Sequence, residues 1–259
     1  MERTAVKYRV LEAARPYLEG KTVKDLVVGI SLIAVQLSDG AVGVSYVLRY
    51  ALPPECGAFG YARNAIGMSA WDVARWSVEG EDNIARSIGG AVLSAASQSL
   101  DIADDTDDKC HYGMEITPED TVGMIGFIKP VAKILAKQVK QLYVFDEGVS
   151  LYEGTVHVCG MDQQPVLLPQ CTKMIITGSS TINGSIDGLL EMCANARQIA
   201  LVGSSTPMFP EGWKGTNVVA LAGSWWPAER KDDIFRIISQ GGGIAQLRPI
   251  IRHKIAYVK

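Results

Sequence analysis

The chain has 259 residues, of which 47% are hydrophobic and 20% charged, with a formal net charge of −3 and a pI near 5.7. That length fits one large domain or two modest ones, and the acidic balance argues against a nucleic-acid partner, which needs a basic face. No apolar stretch reaches the roughly 18 residues of a membrane span. The charged N-terminus lacks the apolar core of a signal peptide. Five scattered cysteines (Cys56, Cys110, Cys159, Cys171, Cys193) make no disulfide framework, so a reducing cytoplasm is expected.

Val6, Val10, Leu11 and Ala14 recur at helical spacing, and Pro16 ends or kinks that first helix. Leu26 to Leu37 reads as a β-rich run, and Ser38-Asp39-Gly40 turns it into a second run, Ala41 to Tyr50. Pro53-Pro54 stops that strand, and a glycine-spaced segment from Cys56 to Asn64 leads to helices at Trp71–Val78, closed by Gly80, and at about Asp82–Leu100. Asp101, Asp104, Asp105, Asp107 and Asp108 then read as a solvated linker. The calcium-loop order fails there, because Lys109 and Cys110 take positions five and six.

Beyond the linker an α/β rhythm begins. Strands are expected at Thr121–Gly126, Gln141–Phe145, Val156–Val158, Thr172–Thr177, Ile199–Val202, Val218–Leu221 and Ile255–Val258. Helices are expected from Pro130 to Lys137, from Ile182 to Ala194 and from Glu229 to Ser239, with Gly241-Gly242-Gly243 capping the last. Three apolar runs end alike, in Gly178-Ser179-Ser180-Thr181, Gly203-Ser204-Ser205-Thr206 and Gly223-Ser224, with their glycines 25 and 20 residues apart. That interval suits a crossover helix and a return to the sheet, and ligands of such sheets sit beyond the carboxyl ends of the strands. Glycines there admit a ligand close to the backbone, and hydroxyls can bind it.

The first βα turn, Gly123-Met124-Ile125-Gly126-Phe127-Ile128-Lys129-Pro130, lacks the G-x-G-x-x-G fingerprint of a dinucleotide site, and Phe127 and Ile128 crowd the place of a pyrophosphate. Asp146, 20 residues past Gly126, is placed to accept hydrogen bonds from a ribose or similar diol, or is a plain strand-end carboxylate with Glu147 as its neighbour. Ser179, Ser180, Thr181 and Asn183 crowd the loop before a helix, where one caps it and the others can bind a carboxylate or phosphate. Ser204, Ser205, Thr206 and Pro207 mirror them in an ordered loop. His157 and Cys159 could project from one strand face, but no zinc-type spacing occurs anywhere, so no protein-bound metal is expected. No G-x-S-x-G elbow appears, and no catalytic residue can be assigned. Trp225-Trp226-Pro227 reads as a core or interdomain wedge, with a stacking platform as the alternative.

From Val122 to Pro130, at Phe145-Asp146 and at the three Gly-Ser strand ends, the chain resembles a domain-of-unknown-function family labelled for heavy-metal chelation. The hairpin and the Gly57–Asn64 segment resemble the small α+β domain that precedes it in that family, which is similar to the N-terminal domain of enolase. The resemblance implies an α/β chain: an α+β domain over residues 1–108, then a Rossmann-like, doubly wound, mainly parallel sheet over 119–259. It also implies that the first domain completes the crevice of the second. The function it implies is an enzyme making or breaking a small metal-chelating or heterocyclic metabolite such as a siderophore, pterin or flavin relative. A non-catalytic binder of such a chelator or its metal complex, and a methyltransferase-like enzyme using S-adenosylmethionine, are the alternatives. Candidate binding residues are Gly123, Gly126, Phe127, Asp146, Gly178, Ser179, Ser180, Asn183, Gly203, Ser204, Ser205 and Thr206, joined by Gly57, Arg63 and Asn64 from the first domain. Arg63 suits a carboxylate or phosphate through its guanidinium fork, or else is a surface ion-pair residue. The expected partner is a small molecule, not nucleic acid or membrane. No cofactor is named by these residues, and a homo-oligomer is among the expectations.

Overall fold

In the computed structural model, residues 5–48, 60–147, 156 and 158–259 are described. The chain opens with α1 (Val6–Ala14), which buries the stripe Val6, Val10, Leu11 and Ala14 and runs into a 3₁₀ turn at Pro16. Three antiparallel strands follow, β1 (Val23–Val28), β2 (Leu32–Leu37) and β3 (Val42–Tyr46). The single run read over Leu26–Leu37 is therefore two strands. Gly29-Ile30-Ser31 reverses the chain between them, and Gly29 N–H closes the turn on Leu32 O at 2.9 Å. The 3₁₀ segment Gly60–Ala65 leads to α2 (Ala70–Glu79) and α3 (Asn83–Ala96). Asp82 caps α3, its carboxylate accepting the Ile84 and Ala85 amides at 2.8 Å each.

The acidic run is not a free linker. Its Ala103–Asp104 pair forms β4, an edge strand of the large sheet, and Lys254 reaches Asp104 at 2.8 Å. Asp107 folds the next turn, taking the Lys109, His111 and Tyr112 amides at 2.6–2.9 Å.

The remaining elements are β5 (Thr121–Ile125), α4 (Lys129–Leu135), β6 (Gln141–Phe145), β7 (Val158–Cys159), α5 (Gln164–Leu167), β8 (Lys173–Thr177), α6 (Ile186–Met192), β9 (Gln198–Val202), β10 (Val218–Trp225), α7 (Lys231–Ser239), α8 (Ile244–Leu247) and β11 (Arg252–Tyr257). The eight-stranded sheet is ordered β4-β11-β10-β9-β8-β5-β6-β7. Strands β5 to β10 are parallel, and β11 and β4 extend the edge in antiparallel fashion. Counted from β5, the parallel run has the doubly wound order 3-2-1-4-5-6.

These strands are buried on both faces, which is why they read as unbroken apolar runs. Met174 and Ile176 of β8 pack with Leu201 and Phe145 on one face, and Ile175 with Met124 and Ala200 on the other, beneath Val131 and Leu135 of α4. The small sheet alternates likewise. Ile33 and Val35 face Ala91, Val92 and Ala95 of α3, while Leu32, Ala34, Val42 and Val44 face Trp226, Ile234 and Ile238. Helix α7 thus leaves the large sheet to cover the small one, with Trp226 fully buried as the wedge between them.

Candidate functional site

In this sheet β5 and β8 are neighbours, and the chain leaves β5 toward β6 on one side and β8 toward β9 on the other. Such a switch in strand order opens a crevice beyond the carboxyl ends. Gly126 leaves β5 with φ +84°, and its amide donates to Phe145 O at 2.8 Å. A Cβ there would lie 2.8 Å from the Thr177 side chain, so the turn after β5 touches the end of β8. Phe127 N–H donates to Asp146 Oδ2 at 2.6 Å, which ties the turn after β5 to the end of β6. Gly178 follows β8, where a Cβ would lie 2.4 Å from the Thr206 amide nitrogen. Gly126, Phe127, Asp146 and Thr177 accordingly meet at one corner, and Gly178 and Ser179 lead from it toward the loop after β9. Phe127, Asp146 and Ser179 are all half-buried. Gly123 lies elsewhere, buried inside β5 against Met174 and Cys171.

Most of the hydroxyls read as a ligand rim are engaged within the protein. Ser180 Oγ donates to Thr177 O and Thr181 Oγ1 to Gly178 O, both at 2.8 Å, closing a 3₁₀ turn. Ser205 Oγ accepts the Tyr46 amide at 2.9 Å and meets Ser45 Oγ at 3.3 Å. Ser204 Oγ pairs with Ser224 Oγ at 3.1 Å. Thr206 is buried, and its hydroxyl has no partner among the described residues. Helix α6 begins at Ile186, later than expected, so none of the four polar residues before it is its cap. Asn183 is exposed, its Oδ1 taking the Ser185 amide at 3.1 Å and the Ser185 hydroxyl at 2.8 Å. Gly203 ends β9 with φ +120°, as expected of a strand-end glycine. Gly223 does not end its strand, because β10 runs on to Trp225 beside β11.

The N-terminal elements pack on the segments that follow β8, β9 and β10. Besides the Ser205 bonds to β3, Arg86 of α3 donates through Nε to Ile182 O at 2.6 Å, and Val6 N–H donates to Asp187 Oδ1 at 2.8 Å. Helix α1 packs on the Pro210–Trp213 turn, and Gln98 Nε2 donates to Trp226 O at 3.0 Å. Arg63 and Asn64, expected to reach the glycine loops, are exposed on the 3₁₀ segment that packs against β1. Arg86 makes that crossing instead. Its position inside a helix with no glycine beside a strand end gave no sequence signal. Gly57 lies outside the described residues. The cavity between the helices and these loops, lined by Arg86, Leu93, Thr181, Ile182, Pro207 and Trp213, measures about 20 Å³, room for one water. An open groove of about 410 Å³ beside Lys24, Asp25, Glu229 and Lys231 carries both signs of charge, paired as Lys231 with Asp25 at 2.5 Å, and lies away from the strand-end glycines.

Among the described residues no three His, Cys, Asp or Glu side chains converge as metal ligands. Cys159 is buried in β7, and its expected companion His157 lies outside the described residues. Burial pushes the thiols of Cys171 and Cys193 up to about 12, which keeps them protonated at neutral pH.

A family model described as "Putative heavy-metal chelation" (DUF364) matches residues 108–257, more than half of the chain. The chain belongs to that family. A companion model with the same description (DUF4213) matches residues 11–97. Two crystal structures of family members of unknown function share the fold. The one from Pyrococcus horikoshii superposes with a TM-score of 0.80 at 20% identity, covering 98% of this chain and 100% of its own. The one from Desulfitobacterium hafniense gives 0.78 at 19%, covering 96% and 98%. An uncharacterized protein of Methanocaldococcus jannaschii is 27% identical over 143 residues, 54% of each chain. The present chain thus spans about half the length of that curated relative. No helix among the described residues is long and apolar enough to cross a membrane.

Proposed function

We propose that this chain is an enzyme acting on a small metal-chelating or heterocyclic metabolite, of siderophore, pterin or flavin type, held in the crevice where β5, β6 and β8 end. The observation that carries the reading is the meeting of Gly126, Phe127, Asp146 and Thr177 at the switch in strand order. A metabolite that brings its own metal donors also agrees with the family description, since the protein's role is then to hold the chelator. The same corner would serve a non-catalytic binder, and product formation separates the two.

The test is a melting-temperature screen of the full chain against ferric catecholate and hydroxamate chelators, pterins, flavins and S-adenosylmethionine, followed by mass spectrometry of incubated hits. A chelator or heterocycle should raise the melting temperature of the wild type, and Gly126→Leu, which fills the corner, should abolish the rise. Stabilisation that survives unchanged in Gly126→Leu would place the ligand elsewhere. A screen in which none of these compounds stabilises the wild type would reject the reading.

A further inference from the structure

Two half-buried cations, Lys7 of α1 and Arg86 of α3, line the small cavity that α1 and α3 share with Thr181, Pro207 and Trp213. Arg86 donates to Ile182 O, Gly80 O and Asn83 Oδ1, all of them neutral acceptors. The Lys7 ammonium lies 5.5 Å from the centre of the Tyr8 ring. Among the described residues neither cation forms an ion pair. No described Asp or Glu lines the cavity. Asp187, next to Ile186 of the wall, gives its Oδ1 to the Val6 amide at 2.8 Å. Positive charge drawn partly out of water without a counter-charge is costly.

The same walls hold donors that lack acceptors. Trp213 is fully buried, and its indole N–H has no partner among the described residues. Thr206, beside Pro207 of the wall, keeps a buried hydroxyl in the same condition. An indole nitrogen can only donate, so its burial calls for an acceptor. Size and charge together decide which one. The cavity measures about 20 Å³, a little above the roughly 10–15 Å³ that one water needs, which leaves no room for a carboxylate or phosphate. A water satisfies the indole but brings no charge.

We propose that this cavity is a site for a single halide ion, chloride in ordinary medium. The ion accepts the Trp213 N–H, supplies the counter-charge for Lys7 and Arg86, and ties α1 and α3 to the loops after β8 and β9. In a half-buried place that attraction is stronger than on an open surface. The site is separate from the corner at the ends of β5 and β6 and is independent of the metabolite proposed there.

The first measurement is the melting temperature of the full chain in potassium chloride against potassium gluconate at equal ionic strength, which holds screening constant. Chloride should raise it saturably, by about 2–4 °C at a ten-fold excess over Kd. Trp213→Phe, which keeps an aromatic ring and removes the N–H, should abolish the chloride-dependent rise. Lys7→Gln should weaken the apparent chloride affinity several-fold and melt close to the wild type in gluconate. The second measurement is anomalous diffraction from wild-type crystals soaked in bromide, which should give a peak within hydrogen-bond reach of Trp213 Nε1. A chloride increment of unchanged size and midpoint in both variants overturns the proposal. So does a bromide-soaked crystal with water, rather than bromide, beside Trp213 Nε1.

Discussion

Gly126 shows how much can rest on one missing side chain. Its φ of +84° lies where an L residue is strained, and a Cβ would press on Thr177 at 2.8 Å. Gly126→Ala should therefore lower stability by about 1–3 kcal/mol in a denaturant titration and weaken ligand binding together with it. Asp120 makes a different residue-scale prediction. Burial alone would push its carboxyl up, but hydrogen bonds from Thr172 and from the Thr117 amide and hydroxyl outweigh this and hold it below the usual carboxylate value of 3.8. A lowered folded pKa means that its contribution to stability is present above the unfolded value and lost as pH falls through the folded one. Melting temperature followed from pH 6 downward should thus fall more steeply below about pH 4 in the wild type than in Asp120→Asn. Parallel curves would show that the Asp120 network contributes nothing to acid lability.

At the scale of elements, the parallel strands were legible because burial on both faces leaves continuous runs such as Met174–Thr177 and Ile199–Val202. The reversal between β1 and β2 was hidden because Ile30, 65% exposed, sits in the turn and reads as strand. The fate of the strand-end hydroxyls was unreadable for another reason. Ser205 is satisfied by Ser45, 160 positions away, and no local pattern records such a partner. Acidic residues were misread in the same way, since Asp104 and Asp107 gain their structure from Lys254 and from a tight turn. The cap of α3 is local, made by Asp82 at the helix start. Its carboxylate also receives the Tyr61 hydroxyl at 2.7 Å, and burial together with that bond pushes the Tyr61 phenol up. Asp82→Ala should consequently cost more than a simple cap, about 1–3 kcal/mol by chemical denaturation. Asp82→Asn, which retains an acceptor, should recover most of the loss. An alanine cost indistinguishable from zero would mean that packing alone holds the start of α3.

At the scale of the whole molecule, the two sheets are joined through a few polar anchors set in apolar contact, and Arg86 is the one placed beside the crevice. Its guanidinium donates to Ile182 O at 2.6 Å, to Gly80 O at 2.9 Å and to Asn83 Oδ1 at 2.7 Å, so it binds the loop after β8 to both ends of the α2–α3 turn. Loss of that fork leaves two half-buried carbonyls without their charged donor, which costs more than an ordinary hydrogen bond. Arg86→Ala is expected to lower stability by about 2–4 kcal/mol, and Arg86→Lys to rescue little, because a single ammonium cannot reproduce three directed bonds. Hydrogen exchange should locate the effect. The amides of Ile182 and Asn183, which close on Ser179 O at 3.0 and 3.3 Å, should exchange faster in Arg86→Ala, as should the turn around Gly80. The amides of Gly126 and Phe127, held by Phe145 and Asp146, should keep their wild-type protection. That contrast follows from Arg86 holding the loop after β8, while the bonds of the Gly126 and Phe127 amides go to the end of β6. Equal acceleration at Gly126 and Phe127 would show that the corner depends on the N-terminal elements, and the ligand would then have to be treated as held by both parts of the chain.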